Sequence, residues 1–149
     1  MIIRVQQEDF DSAALQRELT AGRSDVGAIA SFIGLVRDVE GESLQQMTLE
    51  HYPGMTEKAL QGIADRAAER WQVLDLAIIH RIGALEPADQ IVLVMVLSAH
   101  RGDAFSACEF IMDYLKTEAP FWKKETSGKA SKWVEARKSD LFAQKKWDK

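Results

Sequence analysis

The sequence has a single cysteine, Cys108, among 149 residues, so it cannot form an intramolecular disulfide. It has no apolar run near the roughly 20 residues of a membrane-spanning helix. The longest run, residues 91–97, has the length of a buried strand. The N-terminus turns polar within its first ten residues and lacks the apolar core of a targeting signal. These absences argue against a disulfide scaffold and a membrane protein, and they favour a cytoplasmic one.

Several common chemical sites are also missing. There is no glycine-rich phosphate loop, no GxSxG nucleophile turn, and no closely spaced His or Cys pair for zinc. The three histidines, His51, His80 and His100, each fall near the end of a predicted strand and could converge, but isolated histidines are a weak metal signal. We therefore predict neither a metal nor a cofactor.

The composition is that of one compact domain over residues 1–149, with 46% hydrophobic and 28% charged residues. Charge is unevenly distributed. Residues 1–115 carry 9 Lys/Arg against 18 Asp/Glu, a net charge of −9, whereas residues 116–149 carry 10 against 5, a net charge of +5. The basic segment also contains Phe121, Trp122 and Trp133. It could meet an acidic protein, a phosphorylated small molecule or nucleic acid.

Periodicity predicts strands at residues 2–5, 26–36, 44–51, 73–82 and 90–99, with residues 26–51 forming a hairpin. Helices are predicted from Asp11 to Gly22, from Met55 to Trp71, and from Asp103 to Pro120. A strand and loop at 121–132 and a short helix at 139–147 follow. This order has too few βαβ units for a doubly wound sheet, so we predict an α+β fold with mostly antiparallel pairing.

Cys108 is the obvious candidate nucleophile. Its spacing with Ala104, Ile111 and Leu115 places it on the apolar face of a helix, however. A reactive thiol needs an electropositive and partly exposed setting. We therefore interpret Cys108 as a core residue.

His100 and Arg101 follow a predicted buried strand and precede a helix, where side chains and free backbone N–H groups together suit an anion. The alternative, that Arg101 merely pairs with Asp103 or a surface carboxylate, has about equal weight on position alone.

Lys116 falls at the end of the same helix, where a lysine usually only complements the helix dipole. If Lys123 folds back beside it, two neighbouring ammonium groups could act as acid, base or nucleophile near neutral pH. Arg37 is a further cation at the exit of a strand, where an arginine is more often solvated than functional.

Five strings in order carry a family resemblance: FIGLVR (32–37), LEHYPGMTEKAL (49–60), HRIGALEPAD (80–89), SAHRGDAF (98–105) and IMDYLKTEAPFWKKE (111–125). Together they resemble the large, catalytic subunit of molybdopterin synthase, the MoaE family, over about two-thirds of the chain. The N-terminal 30 residues and the tail after Gly128 carry little of the resemblance.

The resemblance implies a sulfurtransferase of molybdenum cofactor biosynthesis. A small ubiquitin-like carrier subunit, whose Gly-Gly C-terminus ends in a thiocarboxylate, would deliver sulfur to cyclic pyranopterin monophosphate and form the dithiolene of molybdopterin. The implied assembly is a homodimer within a heterotetramer of two large and two small subunits. The implied fold is an α+β, hammerhead-type domain with an additional small antiparallel sheet.

By matching motif, Lys116 and Lys123 would be the catalytic lysines and would also bind substrate. Arg37, His100 and Arg101 would bind the phosphate and pterin of the substrate, with Lys124 and Glu125 as neighbouring substrate-binding residues. The basic C-terminal quarter would dock the carrier.

A non-enzymatic adaptor is the competing hypothesis. Its basic, tryptophan-bearing C-terminal segment would bind a protein or RNA, as aromatics beside cations suit single strands. The net negative charge of residues 1–115 would repel a phosphate backbone, however, and no RNA-binding motif is present. We therefore expect no nucleic-acid partner.

Overall fold

The computed structural model describes the backbone of residues 1–38, 44–127, 130–134 and 138–148, and the side chains within 1–38, 46–123 and 142–148. It contains eight strands and four helices over these residues. Their bounds, in chain order, are β1 Ile2–Gln6, α1 Ser12–Thr20, β2 Ala28–Leu35, β3 Leu44–His51, α2 Met55–Arg70, β4 Asp75–Arg81, β5 Gly83–Leu85, β6 Gln90–Ser98, α3 Arg101–Glu118, β7 Phe121–Ser127, β8 Ala130–Val134 and α4 Lys138–Lys145.

The larger sheet, sheet A, has the strand order β1-β4-β6-β2. Strand β1 is parallel to β4, and the other two pairs are antiparallel. Alternate residues of β4 and β6 enter two different cores, as expected of a sheet that is covered on both faces. Helices α2 and α3 pack on one face, and α1 packs on the other with Leu15 and Leu19.

The smaller sheet, sheet B, has the order β5-β3-β7-β8 and is antiparallel throughout. The predicted α+β class with mainly antiparallel pairing and an additional small antiparallel sheet is therefore confirmed.

The predicted hairpin of residues 26–51 is wrong. Strand β2 pairs with β6 in sheet A, whereas β3 pairs with β5 and β7 in sheet B. The pairing with β6 extends along the whole of β2 and covers buried Ala30, so long-range pairing replaces the local turn.

Helix α3 runs back across sheet A from the end of β6. Its middle lies over the middle of that strand, where the Cys108 thiol is 3.9 Å from the carbonyl oxygen of Val94. Strand β6 ends at Ser98 just before α3 begins, so the last turn of α3 lies over the opposite end of the sheet. The helix therefore spans the sheet from one end to the other.

The last described residues return to the helices. The Trp147 ring packs edge-on against Trp71 and Phe110, and its indole N–H donates to the carboxylate of Asp113 at 2.5 Å. Arg70 lies over the same aromatic rings. This contact fixes the chain end to α2 and α3. Within the described residues, no helix has both the length and the apolar character needed to cross a membrane.

A buried hydroxyl ties α2 to the connection between α3 and β7. Thr56 is 0% exposed; its hydroxyl donates to the Pro120 carbonyl oxygen at 3.0 Å and accepts from the Tyr52 N–H at 3.1 Å. This single side chain therefore satisfies two backbone groups that are far apart in sequence.

Thr56→Val should lower the free energy of unfolding by about 2 kcal/mol, because the isosteric side chain leaves both backbone groups unpaired. Urea denaturation followed by circular dichroism measures the change. Thr20→Val is the matched control, since the Thr20 hydroxyl only bonds to its own helix at Gln16. Equal small losses in the two variants would contradict the role of Thr56.

Candidate active site

The pairing of β3 with β7 brings Lys123 to the inner face of sheet B. Lys123 lies opposite Leu49, and Phe121 lies opposite His51. Directly paired residues of antiparallel strands share one face of the sheet. Leu49 is 1% exposed and Lys123 is half-buried. Lys123 therefore faces the interior side of the sheet, beside Phe121.

Lys116 approaches the same region from the last turn of α3, where its side chain is exposed. The helix ends at Glu118, and Pro120 leads directly into β7. The bond from Thr56 to Pro120 holds this connection in place. A short, fixed link therefore joins the two lysine-bearing elements.

His80 is a buried ring at the meeting point of these elements. It is 5% exposed, and its Nδ1 atom lies 2.8 Å from the carbonyl oxygen of Arg81. The Phe121 ring stacks on the imidazole with a centroid separation of 3.8 Å and an interplanar angle of 18°. Because a carbonyl oxygen can only accept, Nδ1 carries the hydrogen of the neutral ring.

Burial lowers the pKa of His80 to about 3. The hydrogen bond to Arg81 opposes this shift, and the electrostatic effects of Lys116, Lys123 and His51 add to it. Both predicted lysines are thus close enough to act electrostatically on one buried, uncharged ring. Lys116 and Lys123 thus lie within electrostatic reach of the same buried ring.

His51 lies at the edge of this cluster. Its Nε2 atom is 3.4 Å from the Glu57 carboxylate, which also accepts the Gly54 N–H at 2.9 Å. An open cavity of about 310 Å³ adjoins His51 and is lined by parts of β3, β5 and the residues after β1. Of the three histidines, His51 and His80 converge.

Arg37 lies at the same end of sheet A as the lysines. Strand β2 ends opposite Gln90, the first residue of β6, and Val36 exchanges hydrogen bonds with the turn at Ala88 and Asp89. His80 pairs with Val92 near that end of β6. Arg37 is exposed and follows this anchored position directly.

His100 and Arg101 lie at the opposite end of sheet A. They begin α3, whereas Lys116 is in its last turn. The helix has 18 residues, and at about 1.5 Å per residue it is about 27 Å long. One chain therefore does not bring His100 and Arg101 to the lysines.

The sequence left open whether Arg101 merely pairs with Asp103. The Asp103 carboxylate instead accepts the Gln72 N–H at 3.0 Å. Within the part of the chain that the structure describes, Arg101 has no ion pair, and both Arg101 and His100 are exposed. The two side chains are thus available to an anion at this end of the sheet.

Cys108 is buried on the sheet-facing side of α3, as the helical spacing predicts. Burial, with a smaller effect of Glu109, raises the pKa of its thiol to about 11. A thiol that stays protonated and covered is a poor nucleophile.

Lys124 and Glu125 belong to β7, but their side chains lie outside the described residues.

Sequence reasoning did not single out Thr56 for any role, and it treated His80 only as a weak metal candidate. A signal for His80 was present, because it is the one polar residue among five consecutive buried positions of β4, Leu76 to His80. A histidine in so apolar a strand must find a partner or stay neutral. Thr56 has no comparable local signal, since its partner Pro120 is distant in sequence.

The buried, uncharged state of His80 predicts a loss of stability in acid. The unfolded chain binds the proton near the ordinary pKa of 6.5, but the folded protein binds it only near 3. Unfolding therefore takes up a proton between these values, and stability falls as the pH falls through this window. Within this window, His80 lowers the free energy of unfolding by up to about 1.4 kcal/mol for each pH unit of acidification.

Urea titrations at several pH values between 7 and 4 measure the slope of the free energy of unfolding against pH. His80→Gln should flatten it, whereas His100→Gln, at an exposed histidine, should leave it unchanged. The same slope in the parent and in His80→Gln would contradict the assignment of a buried neutral ring.

Comparison with known proteins identifies the family. The family model described as MoaE protein matches residues 5–118. The chain is 59% identical to a molybdopterin synthase catalytic subunit of Ralstonia nicotianae, over 97% of this chain and 83% of that protein. A solved MoaE protein of Burkholderia ambifaria has a TM-score of 0.86 at 53% identity, covering 99% of this chain and 98% of the other. The molybdopterin synthase structure from Staphylococcus aureus has a TM-score of 0.81 at 36% identity, covering 87% and 94%. The chain therefore belongs to the MoaE family of molybdopterin synthase catalytic subunits.

Proposed function

We propose that this chain is a sulfurtransferase that converts cyclic pyranopterin monophosphate to molybdopterin with sulfur from a carrier protein. The position of Lys123 beside Phe121 on the inner face of sheet B, with both lysines within electrostatic reach of one buried neutral ring, carries the proposal. Their cations suit the two anionic groups of the reaction, a thiocarboxylate and a phosphate. The chain thus supplies positive charge and amines at the proposed site of sulfur transfer.

The source of sulfur lies outside this chain. Its single thiol is covered by α3 and sheet A and stays protonated at neutral pH. We assign delivery to a small ubiquitin-like subunit with a thiocarboxylated Gly-Gly C-terminus, and two deliveries supply the two dithiolene sulfurs. The basic C-terminal quarter is proposed to dock this subunit. We place the activity in the cytoplasm, where a lone unpaired cysteine is usual.

The substrate site is proposed to be shared by two copies of the chain. Lys116, Lys123 and Arg37 lie at one end of sheet A, and His100 with Arg101 lies at the other, about 20 Å or more away along α3. A small phosphorylated pterin cannot bridge that distance. In a homodimer within a two-plus-two assembly, the anion-binding end of one copy meets the lysine end of its partner. Lys124 and Glu125 remain proposed neighbours of the substrate.

Lys116→Ala and Lys123→Ala should each lower the rate of dithiolene formation by about a hundredfold or more, the scale of losing a group that transfers protons or stabilises charge. The assay uses thiocarboxylated carrier and pyranopterin substrate. Lys58→Ala is the matched control, because Lys58 is an exposed lysine of α2 outside the basic C-terminal quarter. Turnover within twofold of the parent in either active-site variant would remove the two-lysine assignment.

Subunit complementation tests the shared site. Lys116→Ala and Arg101→Ala, each impaired alone, should recover about one quarter of parental activity when co-expressed, because half of the dimers are mixed and each mixed dimer has one intact site. The pair Lys116→Ala with Lys123→Ala should recover nothing, since both changes fall at one end of the sheet. Equal behaviour of the two mixtures would show that the site is contained in one chain.

A further inference from the structure

His80 is a buried polar side chain to which the proposed reaction gives no role. Every second residue of β4 points to the same side of the sheet. His80 therefore lies on the same face as Leu76 and Ile78, which is the face of sheet A against which α2 and α3 pack. The cross-strand partner of His80 is Val92, near the end of β6 that lies under the last turn of α3. The ring thus points to the side of the sheet from which Lys116 arrives.

Two contacts fix the orientation of the ring. The Nδ1–H group donates to the Arg81 carbonyl oxygen at 2.8 Å, and Phe121 covers one ring face at 3.8 Å. With Nδ1 protonated and the ring uncharged, Nε2 carries a lone pair that can accept a hydrogen bond on the ring edge away from the backbone. The site therefore contains an acceptor of defined direction.

Strand alternation places Lys123 on the same face of β7 as the residue that stacks on this ring. Phe121 and Lys123 are two residues apart on β7 and share its inner face. Phe121 contacts the His80 ring directly, so Lys123 is its neighbour along the strand. An ammonium group has three donors and no acceptor, and a neutral imidazole nitrogen satisfies one of them without adding positive charge.

We propose that His80 is a positioning residue for the lysine pair, with Nε2 accepting a hydrogen bond from a lysine ammonium and aiming that amine at the reacting group. This role rests on the proposed function of Lys116 and Lys123 and deepens it. The plain alternative is a histidine that only fills the core between β4 and β7.

Two variants separate these roles. In His80→Asn the amide replaces Nδ1, so the bond to Arg81 can remain while the Nε2 position is lost. In His80→Gln the longer side chain carries its amide to the Nε2 position. We expect His80→Asn to lower kcat by about tenfold or more with KM for the pyranopterin within about twofold, and His80→Gln to restore part of kcat.

The pH–rate profile supplies a second readout. Loss of the acceptor disfavours the ammonium form, so the limb governed by the lysines should move to lower pH in His80→Asn and return toward the parent in His80→Gln. Unfolding free energies of both variants are measured alongside. Rates that simply follow stability, or an unshifted profile in His80→Asn, would overturn the proposal.

Lysine labelling tests the contact without catalysis. Limiting acetic anhydride and peptide mass spectrometry give the reactivity of Lys116 and Lys123 relative to exposed Lys145 in the free protein. A change of about twofold or more in His80→Asn, reversed in His80→Gln, supports the contact; unchanged ratios overturn it. If both lysine→Ala variants stay active while labelling changes, the catalytic assignment fails and the contact stands.

Discussion

The antiparallel pairing of β3 with β7 is the interaction on which the candidate site depends. Its register sets Leu49 against Lys123 and His51 against Phe121, so a buried apolar residue and a lysine share one face. A shift of one residue would turn Lys123 to the other side of the sheet. The Thr56 hydroxyl reinforces the register by fixing the Pro120 carbonyl just before β7 begins. The orientation of Lys123 therefore depends on backbone geometry that Leu49 and Thr56 help to set.

One titratable side chain of the candidate site, His80, stays uncharged beside the lysines. Two lysines and His51 act electrostatically on His80, and a protonated ring would add another cation beside the lysines. Burial removes that possibility down to acidic pH. The cost of burying an imidazole is offset in part by the Arg81 carbonyl, which satisfies Nδ1. The site thus presents fixed cations beside an uncharged acceptor.

The sequence predicts the elements of this fold better than their partners. The spacing of apolar residues in α1, α2 and α3 is local information, and so is the apolar run of β6. Which strand pairs with which depends on contacts between distant segments, and proximity along the chain wrongly suggested a hairpin for β2 and β3. Strand β5 has only three residues, too few for any periodicity, and it was missed.

The same division holds for the site. The burial of Cys108 follows from helix spacing, which is local information, and the structure confirms it. The two lysines are assigned by motif, and their catalytic role stays a prediction. The contacts of Thr56 with Pro120 and of His80 with Phe121 join residues more than 40 positions apart, so the sequence could flag His80 as a polar residue in an apolar strand but could not name its partner. The separation of Arg101 from Lys116, by contrast, follows from the predicted helix, because the two residues lie at its opposite ends.

That separation also has an electrostatic consequence for the proposed shared site. Like charges about 4 Å apart repel by roughly 4 kcal/mol at an effective dielectric constant of 20. A single chain avoids this cost by placing Arg101 and Lys116 at opposite ends of α3. In the proposed dimer the two ends meet, and a bound phosphate offsets the repulsion that the interface would otherwise bear. Substrate that binds the assembled pair of copies, and not the separate chains, stabilises the assembly by mass action. In the proposed dimer, the length of one helix would thereby couple substrate binding to subunit association.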